Sequence, residues 1–66
     1  MMKVIIVNAA NEKLEFTCEY VNYSINNNSI TNMIFQNPSI NIPDWFNLGK
    51  VKSFEDNGNV LTIYLG

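Results

Sequence analysis

Apolar and polar residues alternate most regularly between residues 14 and 20, where every second position is apolar. This period of two is typical of a half-buried strand. The alternation keeps one parity up to Tyr20 and the opposite parity from Val21 onward, so two adjacent apolar residues break the period. A bulge or a sharp bend at this point reconciles the two halves. Bends of this kind are typical of small barrels and strongly curled sheets.

One further strand is predicted on each side of this segment. Residues 4–7 form a β-branched apolar run with no polar face, which favours a central strand. Residues 30–36 follow an Asn-rich turn and form a third strand. Pro38 ends that strand, because proline has no N–H for the ladder and restricts the residue before it.

The last part of the chain predicts a hairpin. Residues 51–56 and 59–65 flank Asn57-Gly58, and Asn-Gly between two strands is a strong signal for a two-residue type I′ turn. Such a turn would pair Phe54 with Leu61. It would also place the main apolar side chains of the hairpin on one face, namely Phe54, Leu61, Ile63 and Leu65.

The stretch between these strands is irregular. Pro43 stands where a helix can begin and Gly49 where one can end, so one short helical turn is predicted near residues 43–48. The chain as a whole is predicted to be a single all-β domain over residues 1–66. Its architecture is predicted as a five-stranded antiparallel meander, either a curled sheet or a small SH3-like or OB-like barrel.

The chemical inventory argues against an enzyme. The chain has no histidine, one cysteine and only six scattered carboxylates. A chain without histidine cannot use an imidazole as a general acid or base, cannot form Ser-His or Cys-His catalytic pairs, and cannot bind zinc through histidine. We therefore predict no catalytic residue, no cofactor and no metal site. Cys18, which lies in the apolar register of its strand, is predicted to be a small buried hydrophobe.

Charge and hydropathy restrict the partners. Four lysines and no arginine, with a net charge of −2, leave no basic face of the kind that binds nucleic acid. The only feature that favours a single-stranded nucleic-acid binder of OB type, in which bases stack on aromatic rings, is the set of three tyrosines, Tyr20, Tyr23 and Tyr64. No basic amphipathic stretch, spanning segment or signal peptide is visible, so we expect no membrane association and a cytoplasmic location.

One aromatic and apolar cluster lies outside the alternating segments and is the candidate protein-binding site. Its members are Ile40, Ile42, Trp45, Phe46 and Leu48. Aromatic residues on loops are common anchors for a partner. The alternative is that the loop covers an open end of the barrel and Trp45 fills the core.

The leading hypothesis is a small non-enzymatic protein-interaction module, which recognises its partner through this loop or by strand addition. The abundance of Asn and Ile is typical of AT-rich coding, as in a phage or mobile element of a low-GC bacterium. For a gene of that origin, an inhibitor or modulator of a host protein is the natural form. The second hypothesis is a structural homo-oligomer such as a homodimer, and the third is a weak single-stranded nucleic-acid binder.

Overall fold

The computed structural model describes all 66 residues and contains strands, turns and one short 3₁₀ helix. The all-β prediction is confirmed, with six strands in two sheets. The elements in chain order are β1 (Met2–Val7), β2 (Lys13–Cys18), β3 (Tyr20–Asn26), β4 (Ser29–Gln36), the 3₁₀ helix (Leu48–Lys50), β5 (Val51–Asp56) and β6 (Val60–Leu65). No element is a helix long and apolar enough to cross a membrane.

The predicted bend is present and separates two strands. β2 ends at Cys18 and β3 begins at Tyr20, so the chain passes from one sheet to the other at Glu19. The N–H of Glu19 donates to the carbonyl of Gln36 at 2.8 Å, which ties the bend to the end of β4. The segment predicted as one bent strand is therefore two strands, and the total is six rather than five.

The larger sheet has the strand order β2-β1-β6-β5, and β3 and β4 form a separate two-stranded ribbon. Three of the four strand pairings are antiparallel, as predicted. β1 and β6 are parallel, so the prediction of a purely antiparallel meander is wrong for this pair. A parallel pair needs a long crossover, and here β2 to β5 supply it. Alternation along one strand does not encode which distant strand lies beside it.

The β5–β6 hairpin has a different register from the predicted one. Asp56 is opposite Leu61 and Phe54 is opposite Ile63, so four residues lie between the last paired positions of the hairpin, the fourth being Val60 at the start of β6. Only Gly58 in this loop has a positive φ, at 93°, whereas a type I′ turn needs two. The register differs from the predicted one by two residues. An even shift keeps every side chain on its face, so the predicted apolar face of the hairpin is retained.

The predicted helical turn near residues 43–48 is displaced. The N–H of Phe46 donates to the carbonyl of Pro43 at 3.1 Å, which makes a simple turn. The 3₁₀ helix follows at Leu48–Lys50. Asn47 caps it, since its side-chain oxygen accepts from the N–H of Gly49 at 2.8 Å. Gly49 thus lies inside the helical turn instead of ending it.

The core lies between the larger sheet and the β3–β4 ribbon. Seven side chains are buried, all apolar and all from the larger sheet: Val4, Ile6, Phe16, Cys18, Leu61, Ile63 and Leu65. The ribbon supplies the partly buried side chains that pack on them, among them Val21, Met33 and Phe35. Phe16 and Phe35 join the two layers in an edge-to-face contact with ring centroids 5.3 Å apart. Cys18 is 1% exposed, which confirms its predicted burial.

The face of the larger sheet that points away from the core carries one salt bridge. The ammonium of Lys3 lies 2.9 Å from a carboxylate oxygen of Glu15, across the β1–β2 pairing. The hydrogen bond from Lys3 lowers the pKa of Glu15, and the charge of the same lysine lowers it further. Both side chains are about half exposed, so solvent screens the pair and its effect on stability is small.

Tyr23 connects the ribbon to β5 and gives a pH-dependent prediction. Its ring packs edge-to-face on Phe54 at 5.4 Å, and its hydroxyl donates to Oδ2 of Asp56 at 3.2 Å. Burial raises the pKa of Tyr23 above its usual value of 10.0, and the bond to Asp56 raises it further. The fold therefore favours the neutral phenol.

This stabilisation is complete below pH 10 and is lost as the pH rises through the raised folded pKa. We expect Tyr23→Phe to flatten the decline of unfolding free energy above about pH 10. Urea unfolding of both proteins between neutral and strongly alkaline pH measures the two slopes. Both proteins contain the same four lysines and the same two other tyrosines, so the difference between the two slopes isolates Tyr23. Parallel pH profiles would contradict the assignment to Tyr23.

Candidate binding site

The loop that carries the candidate site is fixed at its first end by β2. Ser39 bonds Thr17 twice: its N–H donates to the carbonyl of Thr17 at 2.8 Å, and its hydroxyl oxygen accepts from the N–H of Thr17 at 3.0 Å. Asn37 has a positive φ of 48°, and its side-chain amide donates to Oε2 of Glu19 at 2.8 Å. The loop therefore leaves β4 along the edge of the larger sheet.

The second end of the loop is fixed by the 3₁₀ helix. The N–H of Lys50 donates to the carbonyl of Asn47 at 3.0 Å. The carbonyl of Lys50 in turn accepts from the N–H of Gly66 at 2.8 Å, directly after β6. Trp45 lies between these two anchored points, inside the turn that begins at Pro43. Its backbone is thus held in place on both sides, although its side chain makes no hydrogen bond.

The five predicted site residues divide into two groups. Ile42 and Phe46 are partly buried and pack on the core, with the rings of Phe46 and Phe35 at 5.8 Å. Leu48 is also partly buried. Ile40 and Trp45 lie at the surface, with 37% and 46% of their area exposed. Phe46, rather than Trp45, therefore has the role of covering the core.

Trp45 lies beside the largest cleft of the molecule. The cleft has a volume of about 440 Å³. Besides Trp45 it is lined by Leu65 and Gly66 at the end of β6, by Lys50, and by the turn that joins β1 to β2. The two other clefts are smaller, at about 240 Å³ each, and neither includes an aromatic residue of this loop.

The parallel pairing of β1 and β6 creates this cleft. Val7 and Tyr64 are opposite each other, so these two parallel strands finish at the same end of the sheet. The β1–β2 turn and the residues after β6 therefore lie together there, beside the 3₁₀ helix. A purely antiparallel meander would have separated these segments.

The β1–β2 turn, which lines one side of the cleft, is stabilised by hydrogen bonds from the side chain of Asn8. Its side-chain oxygen accepts from the N–H groups of Ala10 and Glu12, both at 2.9 Å. Its side-chain amide donates to Oε1 of Glu12 at 3.1 Å. Asn11 takes the left-handed conformation, with φ 63°, that closes the turn. The β1–β2 turn therefore presents a hydrogen-bonded surface of small and polar groups to the cleft that Trp45 also lines.

The cleft has a mixed character. Half of its lining residues are apolar, and its charged members are Glu12 and Lys50. The ammonium of Lys50 forms no ion pair, since the one salt bridge joins Lys3 to Glu15. Sequence patterns did not single out Glu12, Lys50 or the alanines of the turn, because each is an ordinary polar or small residue until the topology places it beside Trp45.

The remaining candidate groups lie elsewhere. No group of three or more His, Cys, Asp or Glu side chains is placed to hold a metal ion. Burial raises the pKa of the Cys18 thiol. The three tyrosines occupy different surfaces: Tyr20 is exposed on the ribbon, Tyr23 packs on Phe54, and Tyr64 alternates with the buried residues of β6. They do not form one stacking face.

Comparison with known proteins adds no relative. No protein-family model, no curated protein and no solved structure matches this chain.

Proposed function

We propose that this chain is a small non-enzymatic module that binds another protein, with Trp45 as its main contact residue. One observation carries the proposal: the only tryptophan of the chain is half exposed beside the largest cleft, while its neighbour Phe46 packs on the core. Tryptophan is enriched among the residues that dominate binding energy. Its large rigid ring also loses little conformational entropy on binding.

The five candidate residues have separate roles in this proposal. Trp45 provides the apolar contact, and Ile40 extends the exposed apolar surface of the loop. Ile42, Phe46 and Leu48 are partly buried and hold the loop in position. A side chain from the partner would enter the cleft, where Glu12 and Lys50 offer one group of each charge.

The proposal includes a cytoplasmic setting and a partner from the host of a mobile element. Both rest on the sequence, since the excess of Asn and Ile is typical of AT-rich coding and the single cysteine is free and buried. Inhibition or modulation of a host protein is the function that we assign to such a module.

The test is capture of a partner by the tagged protein from the lysate of a low-GC bacterium. We expect one protein to be retained in stoichiometric amount by the wild type and lost with Trp45→Ala. Ile25→Ala is the matched control, because Ile25 is 53% exposed but lies on the ribbon. Equal capture by wild type and Trp45→Ala would refute the role of Trp45.

A second candidate function is self-association through the ribbon. Three large apolar side chains are about half exposed there: Tyr20, Ile25 and Ile34. Tyr20 and Ile34 are near neighbours, because Asn22 lies opposite Ile34 and Tyr20 opposite Gln36. A monomer by light scattering at micromolar concentration would eliminate this candidate, and a dimer abolished by Ile34→Asn would favour it.

A further inference from the structure

The loop between β5 and β6 surrounds the side chain of Asn57 with groups suited to acyl transfer. Asn57 is followed by Gly58, and it is the only one of the twelve asparagines that precedes a glycine. A glycine N–H is the least hindered backbone nucleophile, since no side chain lies beside it. Gly58 is also exposed, and a Cβ built there would meet nothing within 4 Å.

The nitrogen of Gly58 has a base beside it. Its N–H donates to Oδ1 of Asp56 at 2.9 Å. The other carboxylate oxygen, Oδ2, accepts from the hydroxyl of Tyr23 at 3.2 Å, which fixes the orientation of the carboxylate. A carboxylate within hydrogen-bond reach of the proton that must be removed satisfies the geometric requirement for a general base.

The side-chain amide of Asn57, which the nitrogen would attack, has hydrogen-bond donors at its oxygen. Its Oδ1 accepts from the N–H of Val60 at 2.8 Å and from the N–H of Asn59 at 3.3 Å. Two backbone donors on one carbonyl oxygen stabilise the charge that develops there when a nucleophile adds to the carbon. The leaving nitrogen, Nδ2, takes part in no hydrogen bond within the protein.

We infer that Asn57 is a self-modification site, at which the folded loop promotes loss of the side-chain amide. The nitrogen of Gly58 attacks Cγ of Asn57, and its proton passes to Asp56. The bond between Cγ and Nδ2 then breaks, and ammonia leaves with that proton. Water opens the resulting cyclic imide at either carbonyl, which gives aspartate or isoaspartate. The net reaction consumes one water and releases one ammonia, with no change of oxidation state.

The product changes the charge of the hairpin. One amide becomes a carboxylate, so the formal net charge moves from −2 to −3. The new charge adjoins Asp56 and Glu55. The charged and titratable groups around Asp56 are Tyr23 from β3 and Glu55 on its own strand, and no lysine forms an ion pair with it.

The test follows the wild type and Asp56→Ser during incubation in native buffer and in urea. Mass spectrometry of the tryptic peptide of residues 53–66 locates the conversion. We expect the folded wild type to convert at Asn57 faster than the unfolded chain, and Asp56→Ser to slow folded conversion at least about tenfold. In urea the two proteins should convert at equal rates. Conversion that is no faster in the folded protein, or equal rates for both folded proteins, would overturn the inference.

The pH profile of the wild type tests the base without any substitution. Because a side chain rather than hydroxide takes the proton in the folded protein, folded conversion should rise much less steeply with pH between about pH 5 and 8 than conversion in urea. In urea, where hydroxide is the base, the rate should rise about tenfold per pH unit. A folded rate that follows hydroxide as steeply as the unfolded rate would also overturn the inference.

Discussion

Replacing Ile6 with alanine is expected to remove about 2–5 kcal/mol of unfolding free energy. Ile6 is fully buried on β1, a central strand, with Leu14 opposite it on β2 and Ile63 beside it on β6. The substitution leaves a cavity that neighbours on both sides can fill only by moving. A chain of 66 residues has roughly 3–10 kcal/mol of stability in total, so this loss is a large part of it.

Ile34→Ala is the matched control for this prediction. Ile34 also lies on a strand, but 49% of its area is exposed. We expect a loss of about 1 kcal/mol or less, mainly from strand propensity. Urea unfolding followed by circular dichroism measures both variants. Similar losses for Ile6→Ala and Ile34→Ala would contradict the arrangement of the core between the two sheets.

The second large effect is expected on binding. Trp45→Ala should weaken the complex with the captured partner by at least about 2 kcal/mol, or roughly thirtyfold in Kd. The free energy of unfolding should change by only about 0.5–1 kcal/mol, because nearly half of the side chain is already exposed. Titration calorimetry with the partner and urea unfolding of the free protein supply the two numbers.

Phe46→Ala should show the opposite behaviour, with a large loss of unfolding free energy and a small effect on binding. Phe46 packs on the core and on the ring of Phe35, so its removal should lower the unfolding free energy by about 2 kcal/mol or more. Its effect on binding should be smaller than that of Trp45→Ala once the fraction of folded protein is taken into account. A Trp45→Ala variant as unstable as Phe46→Ala would place the indole in the core and remove the basis of the proposal.

Local patterns in the sequence predicted the strands and the bend between β2 and β3. Alternating burial depends only on nearby residues, which is why the change of parity at Val21 was visible. Val21 and Tyr23 are partly buried as this parity indicates, but Ile25, at the same parity, is 53% exposed. The parallel pairing of β1 and β6 could not be predicted in this way, because it depends on contacts between the two ends of the chain. The hairpin register also escaped prediction, since the bonds of Asn57 to Asn59 and Val60 select a longer loop.

The candidate site was predicted only in part. Composition marked the cluster around Trp45, but it did not distinguish Trp45 from Phe46, since both are large aromatic residues in one irregular segment. The structure separates them through the turn at Pro43, which directs Phe46 to the core and leaves Trp45 outside. The other side of the cleft, including Glu12 and Lys50, depends on the parallel strand pair and has no local signal.

The most direct test of the central claim is the intrinsic fluorescence of Trp45, because the chain has no other tryptophan. In the free native protein we expect an emission maximum close to that of the unfolded chain and substantial quenching by acrylamide. Addition of the captured partner should shift the emission to the blue and protect it from the quencher. A free protein whose emission is already blue-shifted and protected would show that Trp45 is a core residue, and would contradict the account.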